Sequence, residues 1–342
     1  MERYRAYERK RRLLGYLLGA SLLVAAAVSV RLGVLKLPLG ALLQNPVMWE
    51  IRLPRIASAL LVGAALGISG AVMQCVLRNP LASPFTLGIS SGAAFGAAVA
   101  IVFFGAGQLN RTGLTGVIID NPYSISAFAF LFALGAVLVI LALVKLRQIT
   151  PTAMILAGVA ISSFFQAATM LIQLFAEDVK VAAVVFWTFG DVGRTNWGEI
   201  VIMSVAFSMV FLHFFRRRWE LNVMLGGDET AKSLGVEPSR FRLEVMILGS
   251  LLTALSVSFS GIIGFVGLIA PHAVRLMIGA DHRYLIPYSA LIGALVLLLS
   301  DTVGRIAISP AMIPVGIVTA FLGVPIFLYL LIRSGSYASD VT

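Results

Sequence analysis

Long apolar runs, broken by short polar connections, repeat along the whole chain, and within each run the apolar positions are continuous rather than alternating. Segments such as 127–144 and 286–300 carry no charged side chain at all. A membrane barrel would show alternating stretches of about ten residues, so these runs predict helices. About ten spans follow, near residues 12–32, 55–77, 86–105, 124–145, 152–175, 198–215, 241–262, 265–279, 285–302 and 314–333, most close to the ~20 residues a bilayer core demands. The eighth is short. Gly261, Gly264 and Gly267 loosen the chain ahead of it and Pro271 interrupts it, which predicts a broken helix after a sharp reversal.

The predicted fold class is therefore an all-α polytopic membrane protein, a single transmembrane domain over 1–342. No stretch outside the spans reaches the ~50 residues of an independent soluble domain. Any nucleotide-driven engine must belong to another chain. Ser69-Gly70 with Pro80 recurs as Ser260-Gly261 with Pro271. The first copy runs inward and the second outward, which suggests two inverted five-helix halves. Gly63 and Gly67, then Gly88, Gly92 and Gly96, form rows of small residues at four-residue spacing, as expected where helix backbones approach closely.

Composition supports this picture: 59% of residues are hydrophobic and 12% charged. The net charge of +10 could suggest nucleic acid, but its placement reads as topology. Arg3, Arg5, Arg9, Lys10, Arg11 and Arg12 precede the first span, placing segment 1–11 in the cytoplasm by the positive-inside rule. Alternation then puts Arg78, Lys145, Arg147, Arg216 to Arg218, Lys232, Arg240, Arg242, Arg283 and Arg333 inside. Arg31, Lys36, Arg52, Arg55, Arg111, Lys180, Arg194 and Arg305 fall outside, and an even span count returns the carboxyl terminus to the cytoplasm. Cys75 is the single cysteine, so no internal disulfide forms.

One charged island stands out, within 216–240 and just beyond it. Arg216-Arg217-Arg218-Trp219-Glu220 leads into Gly227, Asp228, Glu229, Thr230, Ala231, Lys232, Ser233, Leu234 and Gly235, followed by Arg240-Phe241-Arg242. Asp228 is placed to cap a short helix through Leu234, Gly235 to end it in the left-handed conformation, and Pro238 to stop its simple continuation. The island reads as a cytoplasmic docking helix, with a plain solvated loop as the alternative.

Enzyme signatures are missing: there is no zinc helix, no phosphate loop and no nucleophile elbow. His213, His272 and His282 are scattered, so no metal site is expected. Asp301 is the main charge inside a span, and Arg305 four residues on can pair with it. Gln74, Ser90, Ser91, Gln166, Thr169 and Gln173 either line a path or bond neighbouring helices. Arg52 and Arg55, three residues apart at the outer face, suit an acidic external partner or snorkel to headgroups.

Several long motifs in order then carry a resemblance. Arg52 to Arg55, Leu60-Leu61-Val62-Gly63-Ala64-Ala65-Leu66, Ser69-Gly70-Ala71-Val72-Met73-Gln74, Arg78-Asn79-Pro80-Leu81-Ala82-Ser83-Pro84, Leu87-Gly88 and Ser91-Gly92-Ala93 resemble the permease subunits of type II ABC importers for iron-siderophores, haem or cobalamin. The later half is similar to them in Gly264-Phe265-Val266-Gly267-Leu268-Ile269-Ala270-Pro271-His272, Asp281-His282-Arg283, Asp301, Arg305 and Pro314-Val315-Gly316-Ile317-Val318-Thr319. The resemblance implies a ten-span subunit, expected as a homodimer in membrane lipid. Two separate ATPase subunits, which carry ATP and Mg, would sit below it and a substrate-binding protein above; this chain would bind no cofactor.

It further implies that Gly227 to Val236 holds the coupling helices. Arg52, Arg55 and Arg305 would receive carboxylates of the binding protein. Pro151 and Thr152 would form a cytoplasmic gate, although Pro151 stands where a hydroxyl residue is expected; Gln74, Ser91 and Gln166 join it as pathway candidates. The function implied is ATP-driven import of a metal chelate through a prokaryotic cytoplasmic membrane by alternating access. Iron-siderophore comes first, with haem, cobalamin and oxyanions such as molybdate or tungstate open. An ion-coupled secondary transporter is the competing class, and it would need Asp301 for coupling.

Overall fold

A computed structural model describes residues 2–33, 45–105, 107–109, 117–119, 122–147 and 150–339; Lys36 and Arg111, assigned above to the outer face, lie outside the described residues. The chain forms helices α1 (Glu2–Arg31), α2 (Leu53–Val76), α3 (Ile89–Phe103), α4 (Pro122–Arg147), α5 (Pro151–Phe175), α6 (Asp178–Thr188), α7 (Trp197–Arg216), α8 (Arg218–Met224), α9 (Asp228–Ser233), α10 (Pro238–Ser260), α11 (Val266–Ile278), α12 (His282–Ile306) and α13 (Val315–Ser339). Seven of these are long and apolar enough to span, and α3, α11 and α13 are shorter apolar helices, which together make the ten expected. Five spans lie in each half. Five is odd, so the second half enters the membrane from the opposite face, as inverted halves require.

The segment 1–11 is not separate from the first span, since α1 is continuous from Glu2 to Arg31. Besides α8, two features escaped the hydrophobic pattern. One is α6, too short to span; the other is a small antiparallel hairpin of β1 (Gly107–Leu109) and β2 (Val117–Ile119).

The most buried span is α2, which packs against α10, α11 and α12, while α3 packs on α4 and α5. In lipid, burial of apolar side chains gives little drive for helix association, so close backbone packing carries it. The glycine row supplies that packing. A Cβ on Gly63 would sit 2.3 Å from the Gly293 carbonyl oxygen of α12, and one on Gly67 only 2.2 Å from that of Ser289. Any side chain there would force α2 and α12 apart.

The repeated Ser-Gly pairs do not occupy equivalent places. Gly70 lies within α2 against Gly267, whereas Gly261 caps α10 with φ 74°. The inversion rests on the span count, not on that motif. The expected reversal before α11 is present: Phe265 adopts φ 67°, and Pro271 lies inside the thirteen-residue α11.

Candidate functional site

Three places hold the predicted site residues, and the charged island is the most developed. Leu221 and Met224 of α8 are fully buried, and the Cys75 thiol of α2 meets the Leu221 carbonyl at 3.2 Å. Arg217 pairs with Glu220 and Glu244 and lies 4.6 Å over the Phe241 ring. These contacts fix α8 to the body. From α8 the chain turns through Gly227, at φ 97°, into α9, where only Ala231 is fully buried.

Gly235 ends α9 at φ 83°, as expected. The Val236 amide donates to the Ala231 carbonyl at 2.9 Å and the Gly235 amide to that of Lys232 at 3.0 Å, a Schellman closure. Asp228 differs from expectation. It is the first helical residue, and Gly227 occupies the cap position without a side-chain bond. The Asp228 carboxylate instead accepts two bonds from Arg242 Nη2, at 2.9 and 3.1 Å. Glu229, Thr230, Lys232, Ser233 and Gly235 remain exposed around Leu234, itself 52% exposed, and Leu225 and Trp219 are exposed nearby. An apolar centre with a charged rim is the composition of a docking face.

A corner behind this face joins α1, α8 and α12. Asp281 accepts bonds from Asn222 Nδ2 at 3.0 Å and Arg283 Nε at 2.9 Å, with Arg11 at 3.4 Å. Burial raises the Asp281 pKa, but the bonds from Arg283 and Asn222 outweigh it and hold the carboxyl down at about 2.

The second place is the start of α5. Thr150 caps the helix, its hydroxyl accepting from the Ala153 amide at 3.3 Å, and Pro151 takes the first turn, where a missing N–H does no harm. Thr152 is exposed. Pro151 and Thr152 line a cavity of about 1060 Å³ that Asp228 and Lys232 of α9 also line. The predicted gate and the predicted docking helix thus border one space. Gln166 lies on the exposed side of α5, and Ser91 is half-buried on α3. Gln74 does not belong with them: it is buried in α2, hydrogen-bonded to Arg275 and 3.4 Å from the Gly267 carbonyl, so it ties helices together.

At the other end of α2 the arginines depart most from expectation. Arg52, Arg55 and Arg305 are buried rather than presented outward. Arg55 Nε meets Asp301 Oδ1 at 2.8 Å and its Nη2 meets Asp191 at 3.0 Å; Arg305 Nε meets Asp301 Oδ2 at 3.0 Å. Arg305 also donates to the Leu32 carbonyl at 2.6 Å, and Arg52 to that of Val30 at 2.8 Å. The reason is charge balance: Asp301 sits in the same interior, and two guanidinium groups can share its two oxygens. The Asp301–Arg305 pair is the one its four-residue spacing predicted. Asp191 was not foreseen, because only the fold brings the loop after α6 to this spot.

Among the described residues no group of His, Cys, Asp and Glu is placed to hold a metal ion. Ten apolar helices, with the short, largely exposed α9 beside a cavity of about 1060 Å³, make this a multi-pass membrane protein. The model of the FecCD transport family matches residues 16–333, and the chain belongs to that family. It is 52% identical over 342 residues to a chain of Methanocaldococcus jannaschii described as an ABC transporter permease, covering 97% of each. It is 36% identical to the hemin transport system permease HmuU of Yersinia pestis, over 94% of this chain and 96% of that one. A cobalamin import permease, BtuC of Halobacterium salinarum, is 40% identical over 83% of this chain and 73% of its own length. A molybdate import permease, MolB of Haemophilus influenzae, is 37% identical over 85% and 83%.

Among solved structures, a metal-chelate type ABC transporter in an inward-facing conformation superposes with a TM-score of 0.82 at 34% identity, covering 93% of this chain and 98% of that one. The chain is thus the multi-pass permease subunit of an ABC importer and not itself an enzyme. Its partners are an ATPase, on a separate subunit, and a substrate-binding protein. This sets aside the ion-coupled secondary transporter, and Asp301, the carboxylate that class needed, is held by two arginines.

Proposed function

We propose that this permease imports a metal chelate, iron-siderophore first among the candidates, by alternating access in a homodimer driven by two ATPase subunits docked on α9. The observation that carries the reading is the exposed face of α9, whose Asp228 and Lys232 line the same cavity as Pro151 and Thr152 of α5. A push on α9 then acts next to the segment that closes the cytoplasmic mouth. ATP and Mg belong to the partner; this chain binds no cofactor. The basic segment 1–11 and the even span count support a reading with both termini on the cytoplasmic side of a prokaryotic cytoplasmic membrane.

The exposed face of α5, with Thr152, Ser163 and Gln166 among leucine, valine and phenylalanine, suits a second permease copy and a broad, uncharged pathway between the copies. Such a lining favours a bulky chelate over a small ion bound at one charged site. Relatives named for hemin and cobalamin transport support a chelate, and haem and cobalamin are the next candidates. At the outer end the arriving binding protein meets Arg55 and Arg305 through their partners. Its carboxylates exchange with the part-exposed Asp191 at Arg55, while buried Asp301 keeps hold of Arg305, and Arg52 steadies the start of α2.

The test is to titrate the cognate binding protein with a ferric siderophore, haemin, cyanocobalamin and molybdate, then measure uptake of the tightest binder into proteoliposomes holding permease and ATPase. Selective binding and ATP-dependent uptake of the ferric siderophore is the expected result. Selective uptake of molybdate would overturn the chelate assignment.

A further inference from the structure

Arg242 is a buried cation that the transport function has not yet used. It sits in the first turns of α10 with about 6% of its surface exposed. Its Nη2 donates to both oxygens of Asp228 on α9, and its Nε donates at 2.9 Å to the carbonyl of Val76, the last residue of α2. That carbonyl is one of the four that a helix leaves without an internal partner, and a cation there also opposes the negative end of the helix dipole. One guanidinium therefore joins three elements, using the planar fork that a lysine lacks. Arg242 and Asp228 both line the cavity of about 1060 Å³, together with Lys232 of α9. Helix α9 also packs against α8, and Arg242 is the side chain that ties it to α10 and to the end of α2.

We propose that Arg242 is the strut that makes α9, α10 and the cytoplasmic end of α2 move as one body when the ATPase acts on α9. The proposal rests on the docking reading of α9. From Val76 the displacement runs along α2, whose backbone contact with α11 at Gly70 and Gly267 leaves no slack: a Cβ on Gly70 would lie 1.8 Å from the Gly267 oxygen. Arg242 is a positioning residue. It touches neither ligand nor nucleotide.

Pulsed electron paramagnetic resonance tests this without the transported ligand. Nitroxide labels go on Ser233→Cys in α9 and Leu81→Cys beyond the end of α2, in a Cys75→Ser background, within the reconstituted permease–ATPase complex. With Arg242 intact, one narrow distance distribution persists on addition of ATP and vanadate. In Arg242→Gln, and in Asp228→Asn, which leaves the buried arginine in place, the distance broadens and shifts with ATP and vanadate by more than about 2 Å, the scale of helix shifts in switching transitions. Arg242→Lys gives an intermediate width, since one ammonium cannot hold both acceptors in the same geometry. A lowered melting temperature with an unchanged distance would mean a merely structural role and overturn the proposal. Docking itself is read separately, from the loss of mobility of the Ser233 label when ATPase is added; no loss would remove the docking reading, whatever the distances show.

Discussion

Asp301 shows how one buried side chain sets what its neighbours can do. Its two oxygens each hold a guanidinium, from Arg55 and Arg305, and its side chain has no exposed surface. Replacing it with alanine leaves two cations facing each other in the interior, and breaking a buried pair by removing one partner costs about 3–5 kcal/mol. Asp301→Ala should therefore lower the melting temperature of the detergent-solubilised permease sharply, with Asp301→Asn falling between it and the parent. Equal melting of all three proteins would show that the arginines find other partners at no cost. The sequence announced half of this cluster, since Asp301 and Arg305 stand four residues apart on one helix. Arg55 and Asp191 join from 246 and 110 residues away respectively, counting back from position 301. No local pattern records that meeting.

Among elements, the corner at Asp281 decides whether α1 and α8 stay fixed to α12. The carboxyl titrates at about 2 in the folded protein against 3.8 as an ordinary aspartate. A depressed value means stabilisation that is complete above the ordinary pKa and lost as pH falls from about 4 towards about 2. Melting temperature should drop across that window, and Asp281→Asn should be less stable at neutral pH while losing that part of the acid dependence. Parallel curves for the two proteins would exclude Asp281 as the source.

The elements themselves were legible where the signal was physical and local. Ten apolar runs became ten helices, Gly235 closed α9, and Pro271 fell inside a short helix. Asp228 was legible only as a polar residue at a helix start. Whether its carboxylate caps its own helix or reaches Arg242 depends on a tertiary neighbour fourteen residues on. Likewise α6 has a span's composition without its length, and the outward pair Arg52 and Arg55 turned inward because the fold placed acids and carbonyls beneath them.

Across the whole molecule, α2 links the two ends. Its first turn holds Arg55 in the outer ion cluster, its last carbonyl receives Arg242 beside α9, and Gly63, Gly67 and Gly70 lock the length between to α12 and α11. On the proposed docking of the ATPase at α9, force entering there would reach the far end through one packed helix, and the cavity beside α5 would leave room for the proposed gate to move. Everything in that account depends on α9 being the point of entry. The direct measurement replaces 228–233 with a Gly-Ser linker and records ATP hydrolysis by the reconstituted complex with and without loaded binding protein. Intact membrane insertion with loss of both ATPase capture and stimulated hydrolysis is the predicted result. Stimulation at the parental level would contradict the account.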